Sequence, residues 1–263
     1  MTFQPVVPAN GIVGWRFLQR TYDAQLQSFS SSSVNERETK YFLDNISKVQ
    51  TAEDLVSDRR LLQVALGAFG LDGDINNRFF IQKILSDGTT AGDALSNRLA
   101  DKRYREFSKA FGLGPGEIRK TGLITFMEEV AQDNVVSQFE IAVGESDETM
   151  RISLYAQRSL TDLASQDNSV DTKWFDLMGQ PPLRSMMETA LGLPSSFGQV
   201  DIDRQLEVFK DRLSRLTGSD DLAQFTDEAA IAKLTDTYQA RSQIKQLQST
   251  ISPGQTALIL LRA

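Results

Sequence analysis

The pattern closest to a chemical site is Asp72, Asp74 and Asn76, which stand at positions 1, 3 and 5 of a calcium loop of the EF-hand kind. Such a loop needs glycine at position 6 and a bidentate glutamate at position 12. The chain has Asn77 and Lys83 there, and an ammonium group aimed at the ion would oppose binding. The same carboxylates suit a helix start, where Asp72 or Asp74 would accept from unpaired backbone N–H groups. No metal site is expected.

Three other patterns invite chemistry. Gly112, Gly114 and Gly116 form a G-x-G-x-G run with no following Lys-Ser/Thr and no preceding strand pattern, so they read as turn punctuation and not as a phosphate cradle. Arg98, Lys102, Arg103, Arg105 and Lys109 crowd one short stretch, with Tyr104 and Phe107 between them. No wider basic stripe extends this patch toward nucleic acid; it reads as a solvated helix face, or as a surface for an acidic protein. Glu128-Glu129, Asp220-Asp221 and Asp227-Glu228 are adjacent in sequence and diverge around a helix, which makes them charged faces.

Composition narrows the choice further. Histidine and cysteine are both absent from the 263 residues. Ser-His-Asp and Cys-His nucleophiles, disulfides, thiol redox centres, iron–sulfur clusters and ordinary zinc sites go with them. An enzyme built on Asp/Glu, Lys or Tyr, with Mg²⁺ or without, needs neither residue type, but no phosphate or cofactor motif supports one. No cofactor is expected, and a non-enzymatic role is the reading.

The net charge of −7 is one-sided: residues 1–131 hold 16 basic and 16 acidic residues, and residues 132–263 hold 12 and 19. An acidic half repels nucleic acid and anionic lipid, so neither is an expected partner. The N-terminus lacks the basic and apolar regions of a secretory signal, and the aliphatic run 257–261 is far below the ~20 residues of a membrane span. A cytoplasmic protein is expected, with export by a type III-like route left open and no membrane insertion.

Helical periodicity positions all of these residues. Thr51 with Asp54 has the form of a capping box, followed by Leu55, Leu62, Leu66 and Phe69 on one stripe. A second helix is predicted from about Asp74 to Ser86, its broad apolar set including Phe79, Phe80, Ile81 and Ile84. Thr90 and Asp93 open another with Leu95 and Leu99, and Asp101 opens one with Tyr104, Phe107 and Phe111. Further stripes are Val136/Phe139/Val143, then Ile152/Tyr155/Leu163 after Asp147, then Leu206/Phe209/Leu213/Leu216, and last Ile231/Leu234/Tyr238. The best strand candidate is 256–263, which has no hairpin partner.

The fold class expected is all-α, a multi-helix bundle built from two degenerate copies of a helical unit. Ala65-Leu66-Gly67 recurs as Ala190-Leu191-Gly192, Asp74-Ile75 as Asp201-Ile202, and Lys83 as Lys210. The expected division is 1–34 (an N-terminal segment, irregular up to Trp15, with a flexible Ser28–Ser33 joint), 35–131 and 132–263, the last two separable or interlocked. Two apolar end segments lie outside the stripes, one with Trp15 and Phe17, the other with Leu258 and Leu260. Either they dock into a partner's groove or sheet edge, making these four residues the candidate partner interface, or they fold back and cap the core.

The runs Leu61–Gly88 and Leu99–Gly112, with Gln138–Leu160 and the lead-in Gly14–Phe29, resemble a bacterial domain family of unassigned function. The resemblance implies a domain often present in duplicate, and a place among flagellar genes, where members are frequent; it implies no catalytic residue. Its bearing on function is an accessory role in flagellar assembly or motility, with a flagellar component as partner. A cytosolic chaperone or adaptor for an exported protein is the alternative.

Overall fold

Thr51 and Asp54 begin the main run of helices as their spacing predicts. The Thr51 hydroxyl accepts from the Asp54 N–H at 3.2 Å, and the Asp54 carboxylate accepts from the Thr51 N–H at 2.9 Å, a closed capping box. The computed structural model describes residues 3–250. Among them every regular element is helical, so the chain is all-α. The strand candidate 256–263 lies outside the described residues.

The chain divides into two compact units, the first made of 3–6, 20–146 and 179–181, the second of 7–19, 147–178 and 182 onward. The expected boundary at 131/132 falls inside a helix, α8 below. Charge balance shifts along a chain without regard to packing; the boundary follows the break between two helices at 145–147.

The first unit holds the C-terminal part of α1 (Gly11–Ser30), then α2 (Ser33–Asn45), α3 (Ala52–Ser57), α4 (Arg59–Ala68), α5 (Arg78–Asp87), the single turn α6 (Leu95–Arg98), α7 (Arg103–Phe111) and α8 (Ile124–Gly144). Helix α4 is buried almost all round, from Leu61 and Leu62 through Val64 to Ala68, as a helix central to its unit must be. Gly67 permits this: a Cβ there would stand 2.1 Å from Asn134 Oδ1 on α8. Phe42, Leu55, Leu62, Leu66, Ile84, Phe107 and Phe111 fill the core around it, each worth ~1.5–3 kcal/mol when fully buried.

Several boundaries differ from expectation, each for a local reason. The Leu55–Phe69 stripe is two helices, because Asp58 leaves the helical conformation and caps α4 by accepting from the Arg60 and Leu61 N–H groups. The helix expected from Asp74 begins at Arg78, after a 3₁₀ turn at Asp72–Asp74, and Phe79 is 83% exposed instead of buried. Thr90 and Asp93 precede only one helical turn. The N-terminus is helical from Gly11 and not from Trp15. Ser28–Ser33 is no flexible joint: Ser28, Ser30 and Ser31 return their hydroxyls to the carbonyls of Ala24 and Gln27, and Ser33 already starts α2. Serine is compatible with a helix end when it bonds back to the preceding turn.

The second unit holds the N-terminal part of α1, then α9 (Glu148–Ser165), α10 (Val170–Met178), α11 (Pro181–Ala190), α12 (Ile202–Thr217) and α13 (Glu228–Thr250). Asp147 caps α9 through the Thr149 N–H and Asp201 caps α12 through the Asp203 N–H, and Gly218 ends α12 with a left-handed residue. Trp174 stacks on Phe209 with centroids 5.5 Å apart, and Phe197 meets the same ring edge-on at 5.0 Å. A buried polar pair joins α9 to α13, the Gln239 amide donating to Ser153 Oγ at 2.9 Å.

The matched tripeptides of the suspected duplication differ locally. Gly67 lies within helix α4, whereas Gly192 follows α11 with φ +68°. Ile75 ends a 3₁₀ turn, while its counterpart Ile202 is the first residue of α12.

Candidate interaction surface

The loop between α7 and α8 is fixed on the first unit by four anchors. Gly112 closes α7 at φ +61°, and a Cβ there would stand 2.2 Å from the Ile118 carbonyl oxygen, so the chain doubles back on itself at a spacing only glycine allows. The Glu117 carboxylate accepts from both the N–H and the hydroxyl of Thr89, each at 2.6 Å, and from the Gly114 N–H at 3.2 Å. The Lys120 N–H donates to the Phe111 carbonyl, its ammonium donates to the Lys109 carbonyl, and the same ammonium stands over the Phe126 ring. Thr121 is buried, its hydroxyl bound to the Val49 carbonyl.

This pinned backbone holds apolar side chains out into solvent. Ile118 is 82% exposed, Leu123 53% and Ile124 71%. A floppy loop could fold such residues inward; one held at Gly112, Glu117, Lys120 and Thr121 cannot. Arg119, next to Ile118 in the chain, is exposed, as is Glu128 one turn beyond Ile124 on α8, so the aliphatic residues have charged neighbours of both signs. Three large aliphatic residues are thus presented to solvent within seven positions, and exposed apolar residues that lie close together mark contact with another molecule. In sequence this stretch carries only the turn signal of Gly112, Gly114 and Gly116, because Ile118, Leu123 and Ile124 fit neither a helical nor an alternating period.

The residues singled out earlier lie elsewhere. Trp15 is fully buried in α1, and its indole N–H has no acceptor among the described residues; Phe17 is half-buried. At 0% exposure Trp15 offers no surface to a partner. Leu258 and Leu260 lie outside the described residues. The structure does not bring Trp15 and Ile118 into one unit.

The acidic candidates are engaged in holding the fold. Asp72 and Asp74 cap no helix, contrary to expectation. Asp72 Oδ1 accepts from the Gln138 amide at 2.6 Å, and Asp74 accepts from the Tyr104 hydroxyl at 2.6 Å and the Asn77 amide at 2.7 Å. Burial, with the Asp74 carboxylate beside it, pushes the Tyr104 phenol well above its ordinary range. Among the described residues no group of three or more His, Cys, Asp or Glu is placed to hold a metal ion.

A second network joins α2 to α4. Arg60 binds Glu38 with two hydrogen bonds, at 2.8 and 3.1 Å, and lies 3.6 Å over the Tyr41 ring, while the Tyr41 hydroxyl donates to Asp58 at 2.7 Å. The Arg60 hydrogen bond holds Glu38 below the usual carboxylate range. Burial pushes Asp58 upward, but the Tyr41 hydroxyl and two backbone N–H groups outweigh it and leave the carboxyl lowered. A carboxylate with three donors and a depressed pKa is a weak base, so this constellation holds the helices and is poorly made for proton transfer.

The family described as "Protein of unknown function (DUF1217)" matches residues 68–231, from the last turn of α4 into α13. The chain belongs to this family. The match takes in the α7–α8 loop and the whole of α9 to α12. The crystal structure of protein AGR_C_984 from Agrobacterium tumefaciens is similar to it, with a TM-score of 0.73 and 20% identity over 92% of this chain and 99% of that one. At that identity the likeness shows the fold, an all-α arrangement that DUF1217 membership does not itself describe. No curated protein matches the chain. Among the described residues no helix is long and apolar enough to cross a membrane.

Proposed function

We propose that this chain is a non-enzymatic helical interaction protein, an accessory factor in flagellar assembly or motility, that receives a protein partner on residues 118–124. The exposed aliphatic residues of an immobilised loop carry this reading. Arg119 beside Ile118 and Glu128 one turn from Ile124 favour a partner segment with apolar residues and charges of both signs, since complementary charge steers encounter and fixes register. The resemblance of Leu61–Gly88 and Leu99–Gly112 to a domain family frequent among flagellar genes supports the flagellar part of the proposal, with action in the cytoplasm or at the flagellum.

Deletion of the gene in its host tests it. Loss or reduction of flagella and of swimming, restored by the wild-type chain, is the expected result. A deletion strain that builds flagella and swims like its parent would overturn the flagellar role.

A further inference from the structure

The second unit carries a small cavity of about 170 Å³ walled by Arg212, Arg215 and Arg241 over a floor of Ala190, Leu191 and Leu216. Basic side chains elsewhere in this unit are mostly matched: Arg16 with Asp236, Arg151 with Glu148, Arg184 with Glu188, Arg204 with Glu207, Lys210 with Asp171 and Asp220. Arg215 is held by Asp211 at 2.9 Å, but Arg212 and Arg241 have no ion pair and no hydrogen bond among the described residues. This is unexpected where acidic residues outnumber basic ones by 19 to 12 between 132 and 263.

Arg241 is also held close to the cavity. A Cβ on Gly192 would stand 2.3 Å from its Nη1 and 3.3 Å from its Cζ, so the guanidinium lies against the glycine backbone at the end of α11. The α11 carbonyls nearest that end are already taken, those of Met187, Glu188 and Thr189 accepting from the N–H groups of Leu191, Leu193 and Gly192. Each guanidinium has five donors in a planar fork suited to oxyanions. Three like charges about one cavity repel each other unless an anion enters. All three stand on helices, Arg212 and Arg215 on α12 and Arg241 on α13, and are exposed to solvent.

We propose that this cavity binds a phosphate-class oxyanion, with Arg212 and Arg241 as its forked donors and Arg215, tethered by Asp211, as the third charge. The site is independent of the 118–124 surface. Its test is titration of the full chain with inorganic phosphate at constant ionic strength, followed by calorimetry and by thermal unfolding. The wild type binds phosphate and unfolds at a higher temperature in its presence. Arg212→Gln and Arg241→Gln each weaken binding at least about tenfold, while Arg204→Gln, which removes the same charge from α12 elsewhere, leaves it unchanged. Acetate serves as the carboxylate arm and binds more weakly than phosphate. Absence of phosphate binding, equal weakening by Arg204→Gln, or acetate binding as tight as phosphate would each overturn the assignment.

Discussion

The Thr121 hydroxyl donates to the Val49 carbonyl at 2.8 Å, across a separation of 72 positions in the chain, and Thr121 is 1% exposed. This bond ties the base of the exposed α7–α8 loop to the turn that ends α2's region, and makes loop position a consequence of core packing. Thr121→Val keeps the shape and removes the donor, leaving a buried carbonyl unpaired. We expect a loss of about 1–3 kcal/mol in urea unfolding. A variant as stable as the wild type would show that water reaches Val49 and that the loop is not fixed there.

Gly67 and Asn134 make a second close contact. Asn134 Oδ1 is buried without a hydrogen-bond partner, at the place a Gly67 Cβ would need. Gly67→Ala should destabilise the chain by about 1–3 kcal/mol through overpacking, outweighing the better helix propensity of alanine. Asn134→Ala removes both the obstruction and an orphan acceptor. The double variant should therefore lose less than the sum of the two single ones; simple additivity in denaturant unfolding would contradict the contact.

Sequence was most informative where a side chain bonds its own backbone. The capping box at Thr51, the helix start at Asp147 and the glycine end of α7 were legible because each is local chemistry. The stripe Leu206/Phe209/Leu213/Leu216 likewise marked α12. What could not be read depends on distant partners. Asp72 and Asp74 look like caps until Gln138 and Tyr104 arrive from other elements. Phe79 looks like core until α5 turns it outward. The interaction surface was hidden for the same reason: Ile118 is exposed because Gly112, Glu117 and Thr121 fix the backbone around it, and only Gly112 carries a local signal.

Acid should weaken the α2–α4 network in a defined window. Glu38 and Asp58 have folded pKa values lowered by their partners. Their contribution is present above the unfolded carboxylate values of about 4 and is lost as pH falls through the folded ones. Asp58→Asn keeps a capping side chain and removes the charge. The stability gap between wild type and this variant should be widest at neutral pH and shrink below about pH 4; a gap undiminished at pH 3 would contradict the assignment.

Alkali should act through Tyr238. Burial pushes its phenol up to about 12, so the folded state keeps a proton that the unfolded chain gives up near 10. Stability present below about pH 10 is therefore lost as pH rises through the folded value. Tyr238→Phe should flatten that part of the profile, measured by urea unfolding across pH 9 to 12. With no histidine in the chain, stability between about pH 5 and 8 should be nearly level.

The 118–124 surface is tested most directly by affinity. A photo-crosslinker at position 118 identifies the bound partner segment, and the full chain is then titrated with it. Burying two aliphatic side chains is worth ~1.5–3 kcal/mol each, so Ile118→Ser with Ile124→Ser should weaken binding by more than about tenfold. Val13→Ser, at an exposed position of the second unit, should leave it unchanged, and all three proteins should unfold at the same urea concentration. An affinity unaltered by the Ile118 and Ile124 substitutions in a folded chain would contradict the account.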